Sequence, residues 1–251
     1  MNTTNRFGLI VIGDEILIGG RQDRHLPHFR ELLQNHGLQL LRCWFLSDEE
    51  TSLTAHLHFS FESGVPTFVC GGIGATPDDL TRQCAARAAG VALERHPQAA
   101  ALIEAGFGEG AYPERIHMAD LPAGSELVPN PYNGIAGFSL RKHWFLPGFP
   151  EMAWPMAEWV LENQFRAAGE RSPQQTREGA LLVRGTPESS LIGVMKELSP
   201  RFPELKMFSL PRLGRGELVE LGFRGTGDVG AALQVLRSAL DARGIDYDET
   251  G

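Results

Sequence analysis

The residues best suited to chemistry form a glycine-rich turn. Residues 71–81 read Gly-Gly-Ile-Gly-Ala-Thr-Pro-Asp-Asp-Leu-Thr. Gly71, Gly72 and Gly74 allow the backbone to turn so that several N–H groups point into one concavity. The helix that follows adds its free N–H donors and the positive end of its dipole. The turn, which includes the Thr76 hydroxyl, is therefore predicted to bind an anion.

Two acidic side chains, Asp78 and Asp79, lie at the rim of this turn. Carboxylates repel a bare phosphate, so a phosphate bound here would need a divalent cation as mediator, and oxygen ligands suit Mg²⁺ or Mn²⁺. The competing interpretation is a tight strand-to-helix turn in which Asp78 only caps the next helix. A nucleotide P-loop is excluded because no lysine follows the second glycine.

Further polar turn residues follow other predicted strands. They are Gly13, Asp14 and Glu15 after the first strand, Asp48 after the second, and Pro147 and Gly148 after the last. The carboxyl ends of parallel strands meet at one edge of a sheet, where ligands bind. We therefore expect these residues and the glycine-rich turn to form one pocket.

Strand and helix patterns alternate through the first two thirds of the chain. The predicted strands are residues 8–12, 38–46, 65–70 and 142–146, and the predicted helices are 26–36, 50–63, one that ends near 90, one that begins at 97, and 151–166. Residues 106–133 show poor periodicity, which predicts a long loop or a β-hairpin excursion. The alternation predicts an α/β fold.

Residues 168–178 have the composition of a linker, because they include almost no apolar side chain. Beyond them, residues 179–251 are predicted to form a small α+β domain of βαββα order. Its strands are 179–184, 204–210 and 216–224, and its helices are 187–198 and 227–242. We expect one open sheet with the helices on one face.

Composition limits the partners of this chain. Its 251 residues suit one or two domains. Lys and Arg number 23 against 31 Asp and Glu, a net charge of −8, which disfavours nucleic-acid binding. Cys43, Cys70 and Cys84 contain no CxxC pair, which indicates a reduced, cytoplasmic protein. The apolar stretch at 7–12 is too short for a signal sequence or a spanning helix, so we expect no membrane association.

Two other patterns imitate binding motifs. Residues 225–230 match the GxGxxG dinucleotide fingerprint, with Asp246 and Asp248 about 20 residues further on. The preceding strand alternates apolar and polar residues, whereas the first strand of a dinucleotide-binding fold is buried on both faces, so we favour an ordinary turn. His25 and His28 could face together but lack a third ligand nearby, which disfavours a zinc site.

Several motifs resemble, in their order and their spacing, those of the MoaB/Mog-like domain of molybdenum-cofactor biosynthesis. The resemblance is in particular to the amino-terminal part of CinA-type competence/damage-inducible proteins. The motifs are residues 13–19, 47–48, 71–81, 121–124, 130 and 146–148. The resemblance implies a three-layer α/β/α domain with a mostly parallel sheet over residues 1–167. The piece that follows is similar to the small domain found next in CinA-type proteins.

In that family the Gly-Gly-x-Gly turn and its aspartates hold the phosphate end of a ligand, either molybdopterin or an ADP-ribose-like dinucleotide. Some members are metal-dependent nucleotide pyrophosphatases, and by position Asp79 would activate the chemistry or hold metal while Asp48 faces it. Ala75 replaces the usual Pro and His25 the usual Asn, which favours the alternative of a non-catalytic molybdopterin or nucleotide carrier or sensor. Related domains commonly form dimers or trimers, so the resemblance also implies a homo-oligomer.

Overall fold

A computed structural model describes residues 5–165, 177–212 and 218–249. The chain divides into two compact units, Met1–Pro173 and Gln174–Gly251. Residues 168–176 of the predicted linker lie outside the described residues, and the last two, Arg177 and Glu178, already belong to a strand. No helix among the described residues is long and apolar enough to cross a membrane.

The first unit alternates strands and helices, as predicted. Its strands are β1 (Arg6–Ile12), β2 (Gln39–Leu46), β3 (Thr67–Cys70), β4 (Leu93–Arg95), β5 (Asp120–Pro122), β6 (Glu126–Val128), β7 (Gly137–Leu140) and β8 (His143–Leu146). Its α-helices are α1 (Asp14–Leu17), α2 (His25–Asn35), α3 (Glu50–Glu62), α4 (Thr81–Ala89), α5 (Pro97–Phe107) and α6 (Pro150–Gln164). The predicted α/β fold is confirmed.

Six of these strands form one sheet in the order β2-β1-β3-β8-β7-β6. Strands β2, β1, β3 and β8 run parallel, and β7 and β6 are antiparallel to their neighbours. Strand β1 lies inside the sheet and is buried on both faces, which explains its continuous apolar run. The turns after β1, β2, β3 and β8 therefore meet at one edge.

Side chains of β1 alternate between two hydrophobic cores. Ile10 and Ile12 pack in a cluster with residues of α3, α4 and α5. Leu9 and Val11 pack in another with residues of α2 and α6. Two helical layers on opposite faces of one sheet make the predicted three-layer α/β/α arrangement.

The region of poor periodicity is more ordered than the sequence predicts. Residues Gly108–Ala111 and Arg115–Ala119 form 3₁₀ turns, and β5 pairs with β4 as a two-stranded excursion. Strand β7 was not predicted. Its hairpin with β8 turns at Arg141 (φ 48°) and Lys142 (φ 62°), which are both left-handed without being Gly or Asn, so the usual sequence signal for such a turn is missing.

The second unit has one antiparallel sheet of four strands in the order β10-β11-β9-β12. Its elements are β9 (Arg177–Arg184), α7 (Glu188–Leu198), β10 (Leu205–Arg212), β11 (Leu218–Gly225), α8 (Val229–Asp241) and β12 (Tyr247–Glu249). The order is therefore βαββαβ, one strand more than predicted, because the short and polar Tyr-Asp-Glu sequence of β12 carries no strand pattern. Leu181, Leu221 and Leu236 belong to its core.

The glycines before α8 form a structural turn, in agreement with the favoured interpretation. A Cβ on Gly225 would lie 2.4 Å from the Glu204 carbonyl oxygen, so the backbone approaches its neighbour closely there. Asp228 caps α8, since its carboxylate accepts a hydrogen bond of 3.0 Å from the Ala231 N–H. The strand before this turn lies in an antiparallel sheet, which is not the βαβ context of a dinucleotide site.

Candidate functional site

The glycine-rich turn joins β3 to α4 at the carboxyl edge of the six-stranded sheet. Gly71 (φ 114°) and Gly72 (φ 66°) both have backbone conformations that favour glycine. A Cβ on Gly72 would lie 2.2 Å from the Thr81 hydroxyl oxygen. That buried hydroxyl donates to the Gly71 carbonyl at 3.0 Å, and the Thr81 N–H donates to the Gly72 carbonyl at 3.0 Å. The turn is thus fastened to the first residue of α4.

A buried cation lies behind the same turn. Arg82 is only 3% exposed, and its guanidinium donates to the Ile73 carbonyl at 2.7 Å. Burial lowers the pKa of Arg82, whereas the Asp79 and Asp120 carboxylates raise it. Within the described part of the chain the backbone N–H groups of Gly72, Ile73 and Gly74 donate to no protein acceptor. In an anion-binding nest the carbonyl groups point inward and the N–H groups stay free, and this turn has that arrangement.

Asp79 is engaged inside the turn itself. Its Oδ2 accepts hydrogen bonds from the Thr76 N–H at 2.9 Å and from the Thr76 hydroxyl at 2.5 Å. The neighbouring Asp78 is not a side-chain cap of α4, because α4 begins after Leu80 with no side-chain cap. The competing interpretation, in which Asp78 only caps α4, is therefore not supported, and the Thr76–Asp79 contacts instead fix the shape of the loop.

Asp48 lies against the turn that follows β1. Its Oδ2 accepts from the Asp14 N–H at 3.1 Å, while the Asp14 Oδ1 accepts from the Asp48 N–H at 3.3 Å. Burial raises the pKa of Asp48, the hydrogen bond from Asp14 lowers it, and the nearby carboxylates of Asp14, Glu15 and Asp78 raise it further. This part of the edge therefore carries concentrated negative charge, which favours a cation.

The two aspartates predicted to hold metal lie on different turns. Asp48 is adjacent to Gly72, since a Cβ on Gly72 would lie 3.4 Å from its Oδ1, and Asp79 is adjacent to Gly74. Across residues 5–165, 177–212 and 218–249, no three His, Cys, Asp or Glu side chains form a group that could hold a metal ion. Mg²⁺ usually takes one or two protein carboxylates and completes its shell with water and substrate phosphates. The Asp14–Asp48 pair fits that mode.

A cavity of about 200 Å³ opens beside the turn after β8. Gly148 borders it and approaches Gly71, because a Cβ on Gly148 would lie 3.4 Å from the Gly71 Cα. Glu15 also lines the cavity. Pro147 precedes Gly148 but is not a lining residue, and Gly13 is fixed by a hydrogen bond of 3.1 Å from its N–H to the Leu46 carbonyl.

Most polar residues of this cavity were not singled out as its lining from the sequence. They are Arg21, Gln22, Arg24, His25 and Glu151, with Phe149 beside them. Two exposed ion pairs lie here. Arg21 Nη1 is 3.7 Å from Glu15 Oε1, and Arg24 Nη1 is 3.4 Å from Glu151 Oε1. For Arg21, Gln22 and Arg24 a topological signal was available, since residues 18–24 connect α1 to α2 at the edge where ligands bind.

His25 connects α2 to the turn after β8. Its ring lies almost fully buried, and Nε2 is 3.0 Å from the Gly148 carbonyl oxygen. The Asp23 carboxylate accepts from the backbone N–H groups of His25 and Leu26 at 2.9 and 3.0 Å, which fixes the start of the helix. His25 thus holds one wall of the cavity in place.

The fold and the site define a class: an α/β protein with a glycine-rich turn at the carboxyl edge of a largely parallel sheet. Residues 8–167 match the family model described as "Probable molybdopterin binding domain". The chain belongs to this family, which confirms the resemblance found in the sequence.

Relatives and one solved structure agree with this assignment. A CinA-like protein of Myxococcus xanthus is 31% identical over 80% of this chain and 50% of its own length. One of Geobacter metallireducens is 30% identical over 91% of this chain and 56% of its own. The chain therefore spans about half the length of these curated relatives. The crystal structure of a CinA protein of unknown function from Thermoplasma acidophilum, 24% identical, has a TM-score of 0.59 and covers 64% of this chain and 99% of its own, which supports the fold.

Proposed function

We propose that this protein binds a small phosphorylated ligand, a pterin or a dinucleotide, at the carboxyl edge of the six-stranded sheet. The observation that carries the proposal is the set of free N–H groups at Gly72, Ile73 and Gly74, backed by the buried Arg82. Such donors suit a phosphate group. The family description, probable molybdopterin binding, favours molybdopterin as one such ligand.

The ligand would extend from the turn into the neighbouring cavity. Gly71 and Gly148 lie in contact, so a phosphate on the turn places its organic part beside the cavity that Gly148 borders. Thr76 and Asp78 stand at the rim of the turn. Glu15 lines the cavity, and we expect Gly13, Asp14 and Pro147, in the turns after β1 and β8, to lie beside the bound ligand.

The finer proposal is hydrolysis of a pyrophosphate bond, for example in ADP-ribose, with Mg²⁺ or Mn²⁺. Asp48 would hold the cation together with ligand phosphate oxygens, in the negative field it shares with Asp14. A cation bound there supplies charge neutralisation at the phosphate and an activated water. Asp79 keeps the N–H groups of the turn in position through Thr76, and its second carboxylate oxygen is the group that would orient water.

The alternative proposal is a carrier or sensor that binds molybdopterin or a nucleotide without turnover. The observation in its favour is the engagement of Asp79, whose Oδ2 accepts two hydrogen bonds from Thr76. In this case both aspartates shape the site and neither takes part in a reaction.

Incubation with ADP-ribose, FAD and related dinucleotides, with and without Mg²⁺ or Mn²⁺, tests the proposals. We expect metal-dependent release of monophosphates that Asp79→Ala and Asp79→Asn both abolish. The amide oxygen introduced by Asp79→Asn would still accept a hydrogen bond from the Thr76 N–H, so this variant removes the charge with less disturbance of the loop. Intact, stoichiometrically bound ligand after hours would favour the carrier, and no binding of any phosphorylated ligand would refute the proposed function.

A further inference from the structure

His25 presents a buried acceptor beside the cavity. A carbonyl oxygen only accepts, so His25 Nε2 carries the proton and donates to the Gly148 carbonyl at 3.0 Å. Burial lowers the pKa of His25, which keeps the ring neutral at pH 7. In a neutral imidazole whose Nε2 is protonated, Nδ1 holds a lone pair and can only accept.

This Nδ1 has no hydrogen-bond partner among the described residues, and the His25 side chain is 4% exposed. A buried acceptor without a donor destabilises the structure, because it has lost its hydrogen bond to water and gained none in the protein. The Gly148 contact fixes the ring on one side, and the Asp23 carboxylate fixes the first turn of α2 by accepting from the His25 and Leu26 N–H groups. Because His25 lines the cavity, a donor for Nδ1 would come from a molecule bound there.

One part of the cavity wall is apolar and suits the face of a flat ring, while the polar and charged side chains described above form most of the remainder. Its lining includes Val11, Ile12, Ile16, Cys70 and Phe149. The volume of about 200 Å³ is smaller than the roughly 300–1,000 Å³ of sites that enclose a drug-sized ligand. The cavity is thus suited to one heterocycle, with the remainder of a phosphorylated ligand outside it.

We infer that the cavity takes the ring end of the ligand, an amino-substituted nitrogen heterocycle whose exocyclic amino group donates to His25 Nδ1. The inference rests on the proposed function, which places the phosphate end on the glycine-rich turn. An oxo group in place of the amino group would set two acceptors against each other. His25 is thereby a specificity-determining residue.

Two pairs of ligands that differ by amino against oxo test this selection by calorimetry. They are ADP-ribose with its hypoxanthine analogue, and pterin with lumazine. We expect the wild type to bind the amino member about tenfold more tightly, because the oxo member leaves Nδ1 unpaired. A preference within the ADP-ribose pair identifies the ring as a purine, and a preference within the pterin pair identifies it as a pterin.

Variants of His25 separate ligand recognition from support of the Gly148 turn. Gln places an amide nitrogen near the Nε2 position but leaves no acceptor at Nδ1, so His25→Gln should bind amino and oxo members equally. Asn places its carbonyl oxygen near Nδ1, so His25→Asn should retain the preference. The matched control is His28→Phe on the same helix, because His28 stacks on Trp154 and does not line the cavity.

Two results would overturn the inference alone: equal affinities within both ligand pairs for the wild type, or an undiminished preference in His25→Gln. In either case the protein still binds a ligand, so the result does not contradict the proposed function. Failure of all four compounds and of free phosphate to bind would overturn the proposed function and this inference with it. Circular dichroism and thermal melting of each variant verify that it folds like the control.

Discussion

Two glycine-rich turns in this chain look alike in sequence and differ in the kind of strand that they follow. The turn at Gly71 follows a buried parallel strand, and α4 begins without a side-chain cap. The turn at Gly225 follows an antiparallel strand, and Asp228 caps the helix that it opens. Glycines therefore indicate a tight backbone path in both cases, but only the first path lies at the carboxyl edge of parallel strands, where ligands bind.

Neighbouring charge separates the two turns as well. Arg82 lies buried behind the first turn and donates to its Ile73 carbonyl. Asp248 is paired with Arg184 by a hydrogen bond and an ion pair, at the end of β9 opposite to the second turn, since Arg184 pairs with Leu218 and Arg177 with Gly225. The acidic residue that completes the dinucleotide fingerprint in sequence thus has a structural partner in space.

The largest effect should come from Gly72→Ala. The new Cβ would collide with the Thr81 hydroxyl oxygen, and alanine disfavours the φ of 66°, so the turn must shift. Displaced N–H groups should weaken binding of a phosphorylated ligand by about 100-fold, measured by calorimetry.

Gly225→Ala is the control for this effect, because its Cβ would also collide with backbone. We expect it to destabilise the second unit and to change ligand affinity by less than about twofold. Equal losses of affinity in the two variants would contradict the distinction between the turns.

Acid should destabilise the first unit selectively. All eight histidines lie in it, and burial lowers the pKa of His143 from 6.5 to about 4. Between these values His143 binds more protons in the unfolded state than in the folded state, so it lowers the free energy of unfolding by about 3 kcal/mol as the pH falls from 6.5 to 4. Urea unfolding followed by tryptophan fluorescence measures this unit, because all four tryptophans lie there.

His143→Gln should have a lower free energy of unfolding at pH 7, since Ser60 loses its contact of 2.7 Å with His143 Nε2. The same variant should lose less stability than the wild type between pH 6.5 and 4. The exposed His56 provides the matched control through His56→Gln. An acid dependence that is identical in all three proteins would refute the assignment to His143.

The smallest effect should come from Asp228→Ala. Loss of an N-cap costs about 1 kcal/mol of local stability, so hydrogen exchange in α8 should accelerate while ligand affinity stays unchanged. A change in affinity would show that the second turn contributes to the ligand site.

Secondary-structure elements could be predicted from the sequence wherever one physical cause dominated their formation. Strand β1 was predictable because burial on both faces demands a continuous apolar run. Strand β7 was not, because left-handed Arg141 and Lys142 carry no turn signal and Gly137 begins a strand of four residues. Such elements exist only because neighbouring strands stabilise them.

The same limit applies to the candidate site. Topology predicted that Asp14 and Asp48 would meet at one edge, and they exchange hydrogen bonds there. The metal-holding roles of Asp48 and Asp79 stay predictions. The burial of Arg82 and the contact of His25 with Gly148 depend on packing between distant segments, which no local pattern encodes.

The charged groups of the candidate site come from separate connections between strands and helices, while the strands supply the support beneath them. Each connection can accept a substitution or an insertion without a change in the sheet. Ligand preference can therefore diverge along one lineage while the scaffold is inherited intact. Within such a family, descent predicts architecture more reliably than it predicts chemistry.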